Sequence, residues 1–491
     1  MTHKPVDILL VNPPHYKLEW KEASLCFPLL YLGSWVQDKG YSVKIVDGLK
    51  QSLESVKADI SKYGKDALLV GFTAMTPQVP DCVELSRFVK ETCPDTVVVW
   101  GGIHATLFPE QTSKCEWVDY VVVGEGEETL EEIASRIRGG KALDDVENIY
   151  PNPQRPPMDL DEIPFLDYTL LPDKVAERGA FYINSSRGCP YRCTFCVNNA
   201  LKMRQYRYRN PKLVLDEIEQ AKKDYNINFV SFVEDNFFVN IDKARAMVDG
   251  LIERKINVRW TTSCRVDLFK KGMLDGEFLD WLKQSGSYML KFGAESGSQR
   301  VLDFLKKDTT IQQIIHTCEE CERVKITAVF SFMCALPTET RKERMETLKL
   351  IDKLRSVSST ALIIPPQPYR PYPGGELADF IQENYDFHYP EELGGWADIV
   401  SKSIDSSMSD LEHFPWVDDD PNSIRLIRMV ATVVTGRKKK TPLKRLLRVK
   451  PLLFLPALGA LILIQLRWKL KYFGHPWEYN VIFNAWGRFY R

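Results

Sequence analysis

The sequence predicts an α/β protein: an open, doubly wound parallel sheet, then a full or partial (β/α) barrel, then a mainly helical carboxy-terminal extension. Three observations carry this. Apolar, β-branched runs alternate with amphipathic stretches over the first 145 or so residues; a proline-rich break interrupts the rhythm; the same rhythm then resumes for a longer stretch. Continuous β-branched strands separated by helices are what a parallel sheet covered on both faces requires.

In the first part, strands are expected at Ile8 to Asn12, Ser42 to Asp47, Ala67 to Thr73, Thr96 to Gly101 and Tyr120 to Gly124. Helices are expected near Pro28 to Lys39, Val79 to Thr92 and Glu128 to Arg138. Five prolines between Asn148 and Pro164, at 151, 153, 156, 157 and 164, can sustain neither a helix nor an interior strand. Residues 1–147 therefore read as one domain and residues 148–164 as a linker. Strands follow at Phe181 to Ser185, Asn228 to Val233, Val258 to Cys264, Tyr288 to Ala294 and Thr327 to Cys334, with helices between them and from Arg341 to Leu354. Residues 165–377 thus read as the barrel, with chemistry expected at the carboxyl ends of its strands. Residues 378–491 form the extension, in which the stretch to Asp420 has no clear period and suggests no chemistry.

At 491 residues, 44% hydrophobic and 27% charged, the chain has the composition of a multi-domain globular protein. Its start leads directly into the first strand without an export pattern, so a cytoplasmic location is expected. Eleven cysteines in such a chain argue for thiols, where clustered ones hold metal more often than they form disulfides. The net charge of -1 hides residues 437–471, which carry eleven Lys or Arg and no acidic residue.

Cys189, Cys193 and Cys196 form the one group of three, in Cys-x-x-x-Cys-x-x-Cys after the first barrel strand. Three thiolates at this spacing can hold three irons of one cubane cluster and leave the fourth without a protein ligand. The competing readings are a zinc site or incidental cysteines. Structural zinc wants four ligands, and the triplet supplies three.

With Phe195 before the last cysteine, the motif resembles that of the radical S-adenosylmethionine (radical SAM) superfamily. The resemblance implies a four-iron four-sulfur cluster on the three cysteines, with the amine and carboxylate of S-adenosylmethionine on the open iron. One electron then cleaves that cofactor to a 5'-deoxyadenosyl radical, and the protein positions the reactants. It also implies that Glu234 and Asp235 receive the methionine amine and that Glu295 and Ser296 bond the ribose hydroxyls. Arg265, in Cys264-Arg-Val-Asp267, resembles the position that pairs with a carboxylate, a task suited to a guanidinium; a plain salt bridge is the alternative. Residues 335–340 resemble a Gly-x-Pro-Gly-Glu-Thr segment with Ala335 and Thr338 in place of glycines.

In the first domain, loops after the strands carry Asn12, Thr73, Thr76, Gly101, Gly102, His104, Gly124 and Glu125. Such loops form the ligand crevice of doubly wound sheets. The series resembles the cobalamin-binding domain fused ahead of many radical SAM enzymes, and with the barrel the resemblance covers about residues 6 to 375. The Asp-x-His-x-x-Gly motif that supplies a His to cobalt elsewhere is absent: the matching loop reads Asn12-Pro-Pro-His15. Cobalamin is therefore expected without a ligating His, and the isolated His15 and His104 read more readily as structural hydrogen bonders.

The expected activity is hydrogen abstraction from an unactivated carbon of a small molecule or lipid, with cobalamin-dependent methylation favoured over cyclisation, coupling or rearrangement. A methylthiotransferase would need a second cysteine set, and Cys26, Cys82, Cys93 and Cys115 are scattered. An iron-sulfur redox sensor or electron carrier would leave the acidic motifs without a task. An external one-electron donor such as a flavodoxin or ferredoxin is implied. Residues 451–464 are fourteen apolar residues with basic flanks, too short to span a bilayer but suited to an anionic membrane surface; a core helix is the equal alternative. A nucleic-acid surface is disfavoured, because such an apolar run does not track phosphates. Cys334, on a strand running toward the site, is expected in the core.

Overall fold

The computed structural model describes residues 5–14, 26–171, 179–201, 203–371, 373–397 and 415–417, together with positions 424, 427, 462, 463 and 466. His15 and nearly all of residues 437–471 lie outside the described residues, as does most of the 378–491 extension.

Five strands, β1 (Ile8–Asn12), β2 (Val43–Asp47), β3 (Leu69–Thr73), β4 (Val97–Gly101) and β5 (Tyr120–Val121), form a wholly parallel sheet of order β2-β1-β3-β4-β5. The order reverses between β1 and β3, and the carboxyl ends beside such a switch point are where doubly wound sheets bind ligands. All five residues of β1 are buried, the pattern expected of a strand covered on both faces. The helices Phe27–Asp38 and Glu127–Arg138 pack together on one face, while Leu53–Tyr63 and Val79–Thr92 pack on the other.

Beyond the linker, β6 (Ala180–Ile183) is followed by the short pair β7 (Ser186–Arg187) and β8 (Arg207–Tyr208), which are antiparallel to each other. Then come β9 (Phe229–Phe232), β10 (Arg259–Cys264), β11 (Ser287–Glu295), β12 (Thr327–Cys334) and β13 (Leu362–Pro368). The second sheet runs β6-β9-β10-β11-β12-β13, all parallel, and β6 does not pair with β13. The barrel is therefore partial. Prolines 365, 366 and 368 hid β13 from the sequence pattern, yet an edge strand tolerates prolines because one side of it carries no ladder.

Apolar contacts bind the parts in two places. The helix Phe27–Asp38 shares one apolar core with the linker and the barrel, including Leu29, Leu160, Phe181 and Phe232. After the helix Glu376–Asn384, the chain returns to the amino-terminal domain, where Leu393 and Trp396 join the core on the far side of its sheet. Trp396 Nε1 donates to Gln111 Oε1 at 2.8 Å, and Gln111 Nε2 donates to the Pro390 carbonyl at 2.6 Å. The part of the region without a readable period that holds Pro390, Leu393 and Trp396 is thus a strap across the first domain. Among the described residues, no helix is long and apolar enough to cross a membrane.

Candidate active site between the two sheets

The cysteine loop leaves β7 at Arg187 and returns at β8, so this two-stranded ribbon closes its neck. Gly188 has φ +84°, and a Cβ there would lie 2.2 Å from the Gln205 carbonyl oxygen, so only glycine fits the neck. Inside the loop, Cys189 N–H donates to the Met203 carbonyl at 3.1 Å and Cys196 N–H to the Cys193 carbonyl at 3.1 Å. Asn199 Nδ2 also donates to the Cys193 carbonyl, at 2.7 Å. Cys193 is buried and the other two are half-buried. Burial raises the Cys189 and Cys196 thiols, and the charges of Cys193 and Asp235 push both further up. Three mutually repelling thiolates need a cationic centre to be stable as thiolates, which is what an iron-sulfur core provides.

Arg265, at the end of β10, reaches this loop. Its Nη1 donates to Cys193 Sγ at 3.5 Å, its Nε to Asp267 Oδ1 at 2.8 Å, and its guanidinium lies 3.7 Å from the Tyr191 ring centroid. Its Nη2 donates to the carbonyl of Lys307. Lys307 is itself buried, with Nζ 2.9 Å from Glu295 Oε1. Nothing in the sequence singled out Lys307, since it follows a short helix in an ordinary charged run; only the fold brings it beside Glu295 and the cysteines.

The expected site residues divide. Glu295 sits at φ +60° where the β11 register shifts, and its carboxylate pairs with Lys307. Ser296 is fully buried, accepts from Ser298 N–H at 3.2 Å and lies 3.4 Å from Thr347 Oγ1, so its hydroxyl faces the helix Arg341–Val357. Ala335 and Thr338, standing where glycines were expected, adopt φ +57° and +63°. Arg300 Nη2 donates to the Thr338 carbonyl at 2.8 Å and Trp416 Nε1 to the Ala335 carbonyl at 2.8 Å, which helps hold the left-handed backbone despite the Cβ atoms.

After β9, Glu234 accepts from Ser185 Oγ, and its other oxygen has no partner among the described residues. Burial raises this carboxyl to about 7. Asp235 is exposed, and of the acidic pair it is the one whose charge acts on both Cys189 and Cys196.

Both carboxylates line a cavity of about 510 Å³ between the carboxyl ends of the two sheets. Thr73, Gly101, Gly102, Gly124 and Glu125 line it from the other side. Gly102, at φ +89°, lets the chain pass where a Cβ would lie 2.7 Å from Thr73 Oγ1. Glu125 faces the cavity but is engaged by the barrel: Arg207 Nη1 donates to it at 3.2 Å and Arg187 Nη1 lies 3.3 Å away. Burial opposes its ionisation, and the two arginines more than offset that, holding the carboxyl below its usual value.

Asn12, Thr76 and His104 are not among the cavity-lining residues. Asn12 Nδ2 donates to Asp47 Oδ1 at 2.8 Å, and its Oδ1 accepts from Gln78 Nε2 at 2.9 Å. His104 is fully buried 5.3 Å from Trp396 and 5.2 Å from Phe108, with Nδ1 3.3 Å from Thr76 Oγ1. Burial depresses its basicity to about 3, so it is a neutral core group. A strand-end position is legible in sequence, but the direction of a side chain in the following turn is not.

The cavity fits the implied cofactors in three respects. Its glycine-lined wall admits a flat ligand close to the backbone. Among the described residues, which do not include His15, no histidine lines it. Among the described residues, Asn184 Oδ1 and Glu234 Oε2, both on lining residues, are buried without partners, as expected of groups that await a polar ligand.

Residues 183–351 match the model of the radical SAM superfamily, and residues 27–134 match the B12 binding domain. The chain is 32% identical over 399 residues to an uncharacterized methyltransferase of Pyrococcus horikoshii, covering 78% of this chain and 84% of that protein. It is 28% identical over 394 residues to the anaerobic magnesium-protoporphyrin IX monomethyl ester cyclase of Rubrivivax gelatinosus, covering 73% and 68%. Its fold matches that of the radical S-adenosylmethionine methyltransferase TsrM from Kitasatospora setae, solved with cobalamin and a [4Fe-4S] cluster, with a TM-score of 0.63 at 19% identity over 77% of this chain and 75% of that one.

Proposed function

This chain belongs to the radical SAM superfamily with a B12 binding domain ahead of the barrel, and from that premise we propose that it methylates an unactivated carbon of a small molecule. Its cofactors are a four-iron four-sulfur cluster, S-adenosylmethionine and cobalamin. When bound, they supply one-electron cleavage of S-adenosylmethionine, hydrogen abstraction and a methyl carrier.

The observation that carries the reading is the shared cavity, onto which the carboxyl ends of both parallel sheets open. We take residues 1–147 as the cobalamin-binding part and residues 165–377 as the barrel. Cys189, Cys193 and Cys196 would ligate iron. Asp235 and Glu234 would receive the methionine amine, the exposed Asp235 neutralising its charge. Thr73, Gly101, Gly102 and Gly124 would seat cobalamin on backbone, without a ligating His.

The test is mass spectrometry on anaerobically reconstituted protein with S-adenosylmethionine and dithionite, with and without cobalamin. The expected result is 5'-deoxyadenosine that vanishes in Cys193→Ala, and S-adenosylhomocysteine only with cobalamin. Neither product from iron-replete protein would overturn the reading in favour of a redox module. The cyclase relative supports ring closure as a second reading, marked by deoxyadenosine without S-adenosylhomocysteine. A flavodoxin or ferredoxin would supply the electron. The basic run at residues 437–471 supports a lipid substrate at an anionic membrane surface; flotation with anionic liposomes that is lost on deleting it is the expected result, and no flotation would remove that part.

A further inference from the structure

We infer that Arg265 sets the reduction potential of the cluster through the Cys193 sulfur, as a positioning residue, and does not clamp a cofactor or substrate carboxylate. The inference rests on the cluster reading of Cys189, Cys193 and Cys196.

Every nitrogen of the Arg265 guanidinium is already engaged within the protein. Nε bonds Asp267, Nη2 bonds the Lys307 carbonyl, and Nη1 bonds Cys193 Sγ at 3.5 Å. One flat face is covered by Tyr191, and the residue is only 7% exposed. Three of its five N–H donors are thus used inside the protein, and burial limits the approach of a carboxylate to the other two. The contact with Cys193 is also singular. Among the described residues, no other side chain donates a hydrogen bond to a sulfur of the motif. Asp267 holds the opposite edge of the guanidinium, which keeps Nη1 aimed at the sulfur.

A cationic N–H on a ligand sulfur stabilises whichever state of the cluster is more negative, and that is the reduced one. The site is buried, so solvent screens the effect weakly. In the step concerned, one electron passes from the external donor to the cluster and no bond is made or broken. Lys307 adds a second positive charge near Cys193, but Glu295 neutralises it at 2.9 Å, which leaves Arg265 as the group with the direct contact.

The experiment is an electron paramagnetic resonance redox titration of anaerobically reconstituted full-length protein, without S-adenosylmethionine, comparing wild type with Arg265→Gln, Arg265→Lys and Asp267→Asn. In Arg265→Gln the ratio of oxidised to reduced cluster at fixed potential is expected to rise about tenfold, a midpoint lowered by ~59 mV for a one-electron couple. Arg265→Lys should recover part of the shift, and Asp267→Asn, which leaves the guanidinium uncompensated, should move the midpoint the other way. An iron-replete Arg265→Gln protein with the wild-type midpoint would overturn the inference. So would a variant whose one defect is weaker S-adenosylmethionine binding in equilibrium dialysis, since that is the behaviour of a carboxylate clamp. If Arg265→Gln fails to hold iron, a wild-type or lowered midpoint in Asp267→Asn overturns it equally. Wild-type protein that binds no cluster would instead sink the cluster reading itself.

Discussion

Arg187 Nη2 donates to Glu127 Oε1 at 2.6 Å, and the pair joins the strand that feeds the cysteine loop to the helix that follows the last strand of the amino-terminal sheet. Their side chains are 14% and 7% exposed. With Glu125 and Arg207 they form a charged cluster between the two domains, and Glu125 and Arg187 also line the cavity.

Removing one partner of such a pair leaves the other buried and uncompensated. Arg187→Ala should therefore destabilise the protein by about 3–5 kcal/mol and weaken cobalamin binding as the cavity wall loosens. A double-mutant cycle with Glu127→Gln, read by denaturant unfolding and by cobalamin absorbance titration, checks both. Additive effects would show that the contact does not couple the domains.

Gly188→Ala places a Cβ against the Gln205 carbonyl in the neck of the cysteine loop. Iron content after reconstitution should fall well below wild type, while far-ultraviolet circular dichroism stays the same. Full iron loading in this variant would mean that the neck can shift without displacing the thiols.

Glu234 has a carboxyl raised to about 7 by burial, and Glu339, also buried, is raised to about 7 as well. The folded protein then binds more protons than the unfolded chain between about pH 4.5 and 7, so these two groups make stability fall as pH rises through that window. Glu234→Gln should flatten the fall, and the double variant with Glu339→Gln should flatten it further. Thermal unfolding midpoints between pH 5 and 8, taken without S-adenosylmethionine, measure this.

Trp396 is 2% exposed and docks the strap on the first domain. Trp396→Ala should cost about 3–5 kcal/mol, the usual range for deleting a buried aromatic side chain. His104→Phe, in the same aromatic cluster, should leave the absorbance spectrum of bound cobalamin unchanged, because His104 does not reach the cavity. A changed spectrum would place His104 at the cofactor after all.

The alternation of β-branched runs with amphipathic stretches was enough to place both sheets, because a strand buried on both faces must be continuously apolar whatever surrounds it. The exception, β13, carries prolines that local rules count against a strand, and it survives by standing at an edge. The cysteine triplet was equally legible, since its spacing is local.

What the sequence by itself determined is therefore whatever depends on neighbours along the chain: strand order of appearance, the proline-rich break, the three thiols and the acidic pair after β9. Tertiary structure alone decided where the side chains at strand ends point. It turned Ser296 toward the helix Arg341–Val357, buried His104 under Trp396, spent Glu125 on Arg187 and Arg207, and brought Lys307 to Glu295. The reason is physical: a turn residue can face ligand, core or partner domain at little local cost, and the choice is made by burial and charge compensation between groups far apart in sequence.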